Sequence, residues 1–430
     1  MKSTSSRAAL DAGAAPARRK ASSAASPTSQ PADSVESSHG DAAHRAADTI
    51  DRVEVFVVNP GWRKNLVFVR IETRDGAVGW GEAYTQYDRD APIVAHLREL
   101  GRYLRGRSLF AIKNFTQIAI DDYAQRRGSL ELYSALSAIE QAMWDALGKT
   151  LGQPVYNLLG GTVREKIRTY ANGWSYGLTS ADEMARAAAA VVERGFTAIK
   201  FDPLPKPWRT FIPKEHIRAA VDVLSAVREA VGPSVDILID NHRRLAPMHA
   251  IALAHQYEPY GIYWFEEPCP AHNLEAMHDI RQRISTPVVT GEEIYTKAGY
   301  RRVFDSAAAD IINPDVSNVG GILELKEIAA MAEPYFVAVS PHNYNSTSVA
   351  LAATVQVSVT LPNFLIAEYF VAFDEVSLHI APDALLSSSG FIELPLKPGL
   401  GITVDEAFMR SQQYRENPAR KFGVYHSSVL

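Results

Sequence analysis

Six polar residues end short apolar runs in the second half of the chain, and their types could hold a cation and move a proton. VDILID ends at Asp240, IYWFE at Glu266, PVVTGE at Glu292, DIINPD at Asp315, VAVSPH at His342 and FLIAE at Glu368. Asp240, Glu266 and Glu292 offer three hard oxygen ligands, with neither Cys nor His among them. That set suits Mg²⁺, which takes few carboxylates and keeps positions for water or substrate oxygens, whereas zinc favours nitrogen or sulfur. A cation so held is a Lewis acid able to stabilise the enediolate left when the carbon beside a carboxylate loses a proton. Helix capping would explain any one of these carboxylates, but not three in succession at one interval.

His342 and Asp315 fall on neighbouring predicted strands. An Asp accepting from one imidazole nitrogen fixes the tautomer and raises the basicity of the other nitrogen, which makes a competent base. His242 lies two residues after Asp240 and shares its strand end, so it could protonate a leaving hydroxide. A structural or exposed histidine is the alternative there. Glu368 could exchange a hydrogen bond with a substrate carboxylate or be a rim charge.

The steps between the six positions are 26, 26, 23, 27 and 26 residues. Each fits one strand, a turn and a crossover helix, so the pattern predicts repeated βα units. In a closed (β/α) barrel the strand C-termini form the active-site face, where side chains from several strands meet. IRTYANG reads as the first barrel strand and FTAIKFD as the second, ending at Lys200-Phe201-Asp202. The longer step from Lys200 to Asp240 is explained by a Pro-rich insertion, PLPKPWRTFIPKEH, on the same rim.

Before the barrel, VEVFVVN, NLVFVRIET and AVGWGEAY read as three strands, joined by turns at Asn59-Pro60-Gly61 and Asp75-Gly76. Helical patterns follow, including a long amphipathic one from Tyr133 that Gly148 and Gly152 end. Loops around Trp62-Arg63-Lys64 and Tyr84-Gln86-Tyr87-Asp88 carry large polar and aromatic groups that could close over a ligand or be ordinary surface. The Gly/Pro-rich GFIELPLKPGLGITVDE is expected to leave the barrel and return to the first module. The expected division is a tail (1–48), an α+β capping domain (49–165), a catalytic barrel (166–385) and a returning C-terminal segment (386–430).

At 430 residues and 47% hydrophobic, the chain is long enough for a large core. A net charge of −5 with no basic stripe argues against nucleic acid as a partner. One cysteine, Cys269, excludes an intrachain disulfide and fits a reducing, cytoplasmic setting. No apolar run is long enough to span a membrane. The Ala/Ser/Pro/Arg-rich N-terminus lacks the apolar residues to offset its ordering entropy and reads as disordered, with a transit peptide as the alternative.

With these residues the chain resembles the enolase superfamily in its mandelate-racemase-like branch. The likeness rests on SAIEQAMWDALGKTLGQPVYNLLGG, FEEP, TGEE, INPDVSNVGGILELKEIA, SPHN and LPLKPGLGI, and covers about residues 50–410. It implies a modified (β/α)₇β TIM-like barrel with an α+β cap, and Mg²⁺-assisted removal of a proton α to a carboxylate. It implies Asp240, Glu266 and Glu292 as metal ligands, His342 with Asp315 as the base pair, Glu368 opposite the metal, and Glu267 supporting a ligand from behind. Within the branch, DNHRR and the following residues are most similar to sugar-acid dehydratases of the galactonate dehydratase type, in which the histidine of Asp-x-His is the general acid. Racemases of the branch carry Lys-x-Lys after the second strand; this chain has Asp202 in the second lysine's place. Asn343-Tyr344-Asn345-Ser346 stands where the galactonate type has Cys-Pro.

The expected function is therefore dehydration of an aldonate to a 2-keto-3-deoxy acid. Lys200 and Glu368 would hold the enediolate, and Asp202, Trp62, Tyr84 and Asn343 would contact substrate. An epimerase on the same scaffold and a non-catalytic barrel are the rivals. The resemblance also implies an even-numbered homo-oligomer such as an octamer.

Overall fold

The computed structural model of the chain describes residues 48–417, apart from 60, 62, 63, 88 and 207–209. The expected disordered tail, up to Ala47, and Trp62 thus lie outside the described residues. The described residues open with an antiparallel sheet of β1 (Ile50–Val58), β2 (Leu66–Thr73) and β3 (Val78–Ala83), in the order β1-β2-β3. Helices α1 (Asp90–Leu104), α2 (Ile112–Ile118), α3 (Leu130–Thr150) and α4 (Val155–Leu158) follow. This is the expected α+β cap.

The second sheet is parallel and curled. Its strands are β4 (Lys166–Asn172), β5 (Ala198–Phe201), β6 (Asp236–Asp240), β7 (Trp264–Glu266), β8 (Val288–Thr290), β9 (Ile311–Ile312), β10 (Ala338–Val339) and β11 (Ala367–Phe370). The intervening helices are α5 (Ala181–Glu193), α6 (Lys214–Val231), α7 (Pro247–Tyr257), α8 (Leu274–Arg281), α9 (Thr296–Asp305), α10 (Ile322–Ala332) and α11 (Ser348–Ser358). β11 pairs with β4, while Val339 N donates to Asn363 O at 2.9 Å and Leu365 N to Val339 O at 2.8 Å. These last bonds join β10 to the approach of β11 and close the ring of eight strands and seven helices. Among the described residues, no helix is long and apolar enough to cross a membrane.

After α12 (Asp374–Ile380), β12 (Phe391–Glu393) adds antiparallel to β4 before the chain turns back to the cap. Val155 N donates to Gly399 O at 3.0 Å, Leu400 N to Asp145 at 2.8 Å, and Arg70 pairs with Glu406 of α13 (Glu406–Ser411) at 3.1 Å.

Helix α3 differs from its expectation. The sequence pattern reads as amphipathic, yet every residue from Leu132 to Gly148 is buried. The residues that look like a polar face bond inward instead. Glu140 accepts from Ile322 N and Leu323 N at the start of α10, Gln141 Nε2 donates to Glu82 O, and Asp145 accepts from Trp80 N. Glu82, on β3, accepts from Thr347 N and Ala350 N at the start of α11. Two carboxylates from the cap therefore face helix N-termini of the barrel, where the macrodipole favours negative charge. Burial still dominates, pushing both Glu82 and Glu140 up to about 7.

Gly148 does not end α3, which runs on to Thr150. Its bare Cα admits the C-terminal segment, because a Cβ there would meet Gly399 Cα at 2.7 Å. Likewise, a Cβ on Gly81 of β3 would lie 1.9 Å from Ala138 O of α3. A rigid backbone cannot yield as a side-chain tip can. Gly81→Ala is accordingly expected to cost about 3 kcal/mol, the top of the range for overpacking. Urea denaturation followed by circular dichroism measures this, and a wild-type midpoint would mean that strand and helix are not in contact there.

Candidate active site

At the C-terminal end of the barrel, Asp240 and Glu266 are register partners on β6 and β7, and Glu292 follows β8 by two residues. All three are buried, with carboxylate oxygens within 4.8 Å of one another. Like charges this close in a low dielectric repel strongly, so the cluster needs positive charge. Burial, then the neighbouring carboxylates against the pull of Lys200, leave Glu266 pushed up to about 7. Asp240 and Glu292 are held below their usual range; burial opposes this, but His242 and Lys200 act on Asp240, and Arg243 and His342 on Glu292. Glu292 Oε2 is buried and has no hydrogen-bond partner. Three oxygen donors with an unsatisfied acceptor fit a divalent cation.

Lys200, on β5, bridges two carboxylates: its Nζ lies 2.8 Å from Glu266 Oε1 and 3.3 Å from Glu368 Oε1. Glu368 also accepts from Asn172 Nδ2 at 2.5 Å and from Asn343 N at 2.7 Å. Despite burial, Glu368 stays below the usual carboxylate range and Lys200 well above the usual ammonium range. Both are therefore charged.

His342 and Asp315 follow adjacent strands and are bridge partners, with Nδ1 to Oδ2 at 2.7 Å. The free nitrogen faces the carboxylates, with Nε2 3.4 Å from Glu292 Oε2 and 3.8 Å from Glu368 Oε2. Burial works against the imidazolium, but Glu292, Glu368 and Asp315 outweigh it and lift His342 to about 10. Tyr84 of the cap stacks obliquely on this ring, with centroids 5.9 Å apart, and its backbone N donates to Ser317 O.

His242 sits across from His342. Its backbone N donates to Asp240 Oδ1 at 2.8 Å, its Nδ1 lies 3.1 Å from Asp202 Oδ2, and its Nε2 lies 3.5 Å from Asp240 Oδ2. His242 and Arg243 both have left-handed backbones, φ +50° and +61°. Such strain in non-glycine residues persists only where surroundings impose it, and it clusters at functional sites.

A cavity of about 330 Å³ lies over the carboxylates, edged by Lys64, Tyr84, Gln86 and Tyr87 from the cap and by His242, His342 and Asn345 from the barrel. It shares Lys200, Asp240 and His242 with a cavity of about 610 Å³ that extends between the loops after β4 and β5. The volumes suit a small, polar ligand.

Asp202 lines the larger cavity, its Oδ1 accepting from Leu204 N and Arg244 and its Oδ2 lying against His242. Asn343, an expected substrate contact, does not line either cavity; its backbone N holds Glu368, while Tyr344 and Asn345 reach the cavity. The shift arises because loop conformation after a strand end, rather than strand alternation, aims the side chain.

Lys64, in one of the loops expected to close over a ligand or be surface, lines the cavity and is buried beside the Tyr84 ring. Three other residues escaped the sequence pattern. Arg243 pairs with Glu292 and, at 3.0 Å, with Glu293. Trp264 Nε1 and Asn313 Nδ2 donate to Glu266 at 2.9 and 3.0 Å. Trp264 stands two before Glu266, so the period of two in a strand could have found it. Nothing in the local pattern could have found Arg243.

A closed (β/α)₇β barrel with an α+β cap and this carboxylate cluster defines an enolase-superfamily architecture. The chain belongs to that family: residues 52–160 match the mandelate racemase/muconate lactonizing enzyme N-terminal domain, and residues 183–408 match the enolase C-terminal domain-like family. It is 34% identical to a D-gluconate/D-galactonate dehydratase of Picrophilus torridus, over 85% of this chain and 95% of that protein. It is 35% identical to a D-galactonate dehydratase family member of Streptomyces bingchenggensis, over 85% and 93%. A mandelate racemase/muconate lactonizing enzyme-like protein of a Roseovarius species superposes with TM-score 0.81 at 33% identity, over 86% of this chain and 96% of that one.

If the three carboxylates share an ion, a divalent cation must stabilise the fold by linkage. Mg²⁺ or Mn²⁺ at about 100 times its Kd is expected to add about 2.7 kcal/mol, and Asp240→Asn to lose that gain. Thermal melting with the ion and with EDTA measures it. Superimposed wild-type curves would mean that no ion is shared.

Proposed function

We propose that the protein is a Mg²⁺-dependent acid-sugar dehydratase that converts an aldonate to a 2-keto-3-deoxy acid. The observation that carries this reading is the pair of imidazoles flanking one carboxylate cluster, His342 with Nε2 3.4 Å from Glu292 and His242 with Nε2 3.5 Å from Asp240. One nitrogen can take a proton while the other gives one, which is what loss of water across two adjacent carbons requires. The names of the dehydratase relatives support the same class, a hydro-lyase.

Asp240, Glu266 and Glu292 would hold the Mg²⁺. When bound, the ion would supply Lewis-acid stabilisation to the substrate carboxylate as negative charge develops on it. Lys200, fixed between Glu266 and Glu368, adds positive charge at the same place. Asp315 holds His342 Nδ1–H, leaving Nε2 as the base for the C2 proton. The neighbouring carboxylates Glu292 and Glu368, with Asp315, raise the basicity of His342. His242 gives a proton to the leaving 3-hydroxyl, and the enol then tautomerises to the keto acid. The cap residues Lys64, Tyr84 and Gln86 line the cavity and would limit the access of water to the enediolate.

Replacing His342 by Asn is expected to lower kcat by at least about 10²-fold, the lower bound for a general base, while Mg²⁺ binding survives. Undiminished turnover in that variant would refute the base assignment. Substrate identity is tested by screening mono- and diacid sugars with Mg²⁺ for 2-keto-3-deoxy acids by semicarbazide absorbance. Solvent deuterium entering C2 without any keto acid would instead point to an epimerase.

A further inference from the structure

We propose that Asp202 is a positioning residue: it grips the His242 imidazole through Nδ1 so that Nε2 is presented to the leaving hydroxyl. This rests on the dehydratase reading and deepens it. Asp202 follows β5, at the position where racemases of the branch carry a lysine, and a lysine could not accept from an imidazole N–H. Its Oδ2 lies 3.1 Å from His242 Nδ1. Its Oδ1 accepts from Leu204 N at 3.0 Å and from Arg244, whose side chain is only 6% exposed. Both carboxylate oxygens are thereby engaged, and the group is fixed at the wall of the larger cavity.

The ring it holds is constrained on the other side as well. The left-handed backbone at His242 and the bond from its N–H to Asp240 Oδ1 swing the imidazole between Asp202 and Asp240. With Nδ1 committed to Asp202, the nitrogen facing the carboxylate cluster is Nε2, 3.5 Å from Asp240 Oδ2. The arrangement repeats, on the opposite wall, what Asp315 does for His342 at 2.7 Å. Two aspartates on separate strand ends thus orient two histidines with their Nε2 atoms turned to one cavity. This division suits an acid and a base acting on neighbouring carbons.

In the step so assigned, His342 Nε2 takes the C2 proton, and the C2–H electron pair passes into the enediolate. As the C2–C3 double bond forms, the C3–O bond breaks and its pair leaves on oxygen. The proton on His242 Nε2 joins that oxygen, which departs as water, and Nδ1–H stays on Asp202. No oxidant or further reactant is needed.

A leaving group that needs no proton separates positioning of the acid from general damage. The substrates are D-gluconate, D-galactonate or D-xylonate, whichever the wild-type protein dehydrates, and its 3-deoxy-3-fluoro analogue, which expels fluoride. In Asp202→Asn, kcat for water loss is expected to fall by about 10²-fold, the scale of general-acid catalysis. Fluoride release and deuterium exchange at C2 are expected to stay within about threefold of wild type. Asp202→Glu, which restores an acceptor, is expected to recover part of the water-loss rate. Equal loss of water and fluoride elimination, or no loss of either, overturns the assignment. If the wild-type protein forms no keto acid from any acid sugar and exchanges no C2 proton, the dehydratase reading itself has failed, and this inference with it.

Discussion

Five carboxylates, Asp240, Glu266, Glu292, Asp315 and Glu368, lie buried together at one end of the barrel. Ionised carboxylates in an interior destabilise one another and the fold unless positive charge or donors compensate. Lys200, Arg243 and His342 supply the positive charge, while Asn172, Asn313 and Trp264 add hydrogen bonds. The remaining acceptor, Glu292 Oε2, faces His342. Much of the local architecture follows from this balance. Lys200 is buried because two carboxylates hold it, and Arg243 adopts a left-handed backbone that brings it within reach of Glu292 and Glu293. A charge cluster of this kind is poor for stability and useful for chemistry, since the same field that repels ligands from one another attracts a cation and a proton.

The cap serves that cluster by being fastened rigidly beside it. Helix α3 is wedged between the cap's sheet and the barrel, and its carboxylate Glu140, like Glu82 of β3, faces the N-terminus of a barrel helix. Tyr84 continues directly from β3 and is tied to Ser317 of the barrel, so its ring meets His342. The residues that shape the cavity from the cap side are thus set by the same contacts that hold the two layers together. Gly81 and Gly148 permit the close approach that this fastening needs.

The periodicity of apolar runs made the barrel legible, because a strand with a hydrophobic interior and a polar last residue has a short, regular signature. The clustering of Asp240, Glu266 and Glu292, and the pairing of Asp315 with His342, could be expected on the same ground: residues at equivalent ends of neighbouring parallel strands are held about 5 Å apart by the hydrogen-bond ladder. Side chains beyond the strand ends obeyed no such rule. Asp202 binds His242 at the cavity wall, and Asn343 offered its backbone while Asn345 took the cavity. Helix α3 deceived in a related way, since its polar residues look solvated in sequence and are bonded inside.

From its residues alone, then, the chain determined a ring of βα units, the acidic strand ends and the histidine that accompanies them, because backbone periodicity is local and repeats. Folding in three dimensions decided which loop side chains reach the cavity, that Arg243 joins the charge balance, and that His242 meets Asp202. Those outcomes depend on contacts between segments far apart in sequence, whose geometry no local pattern encodes.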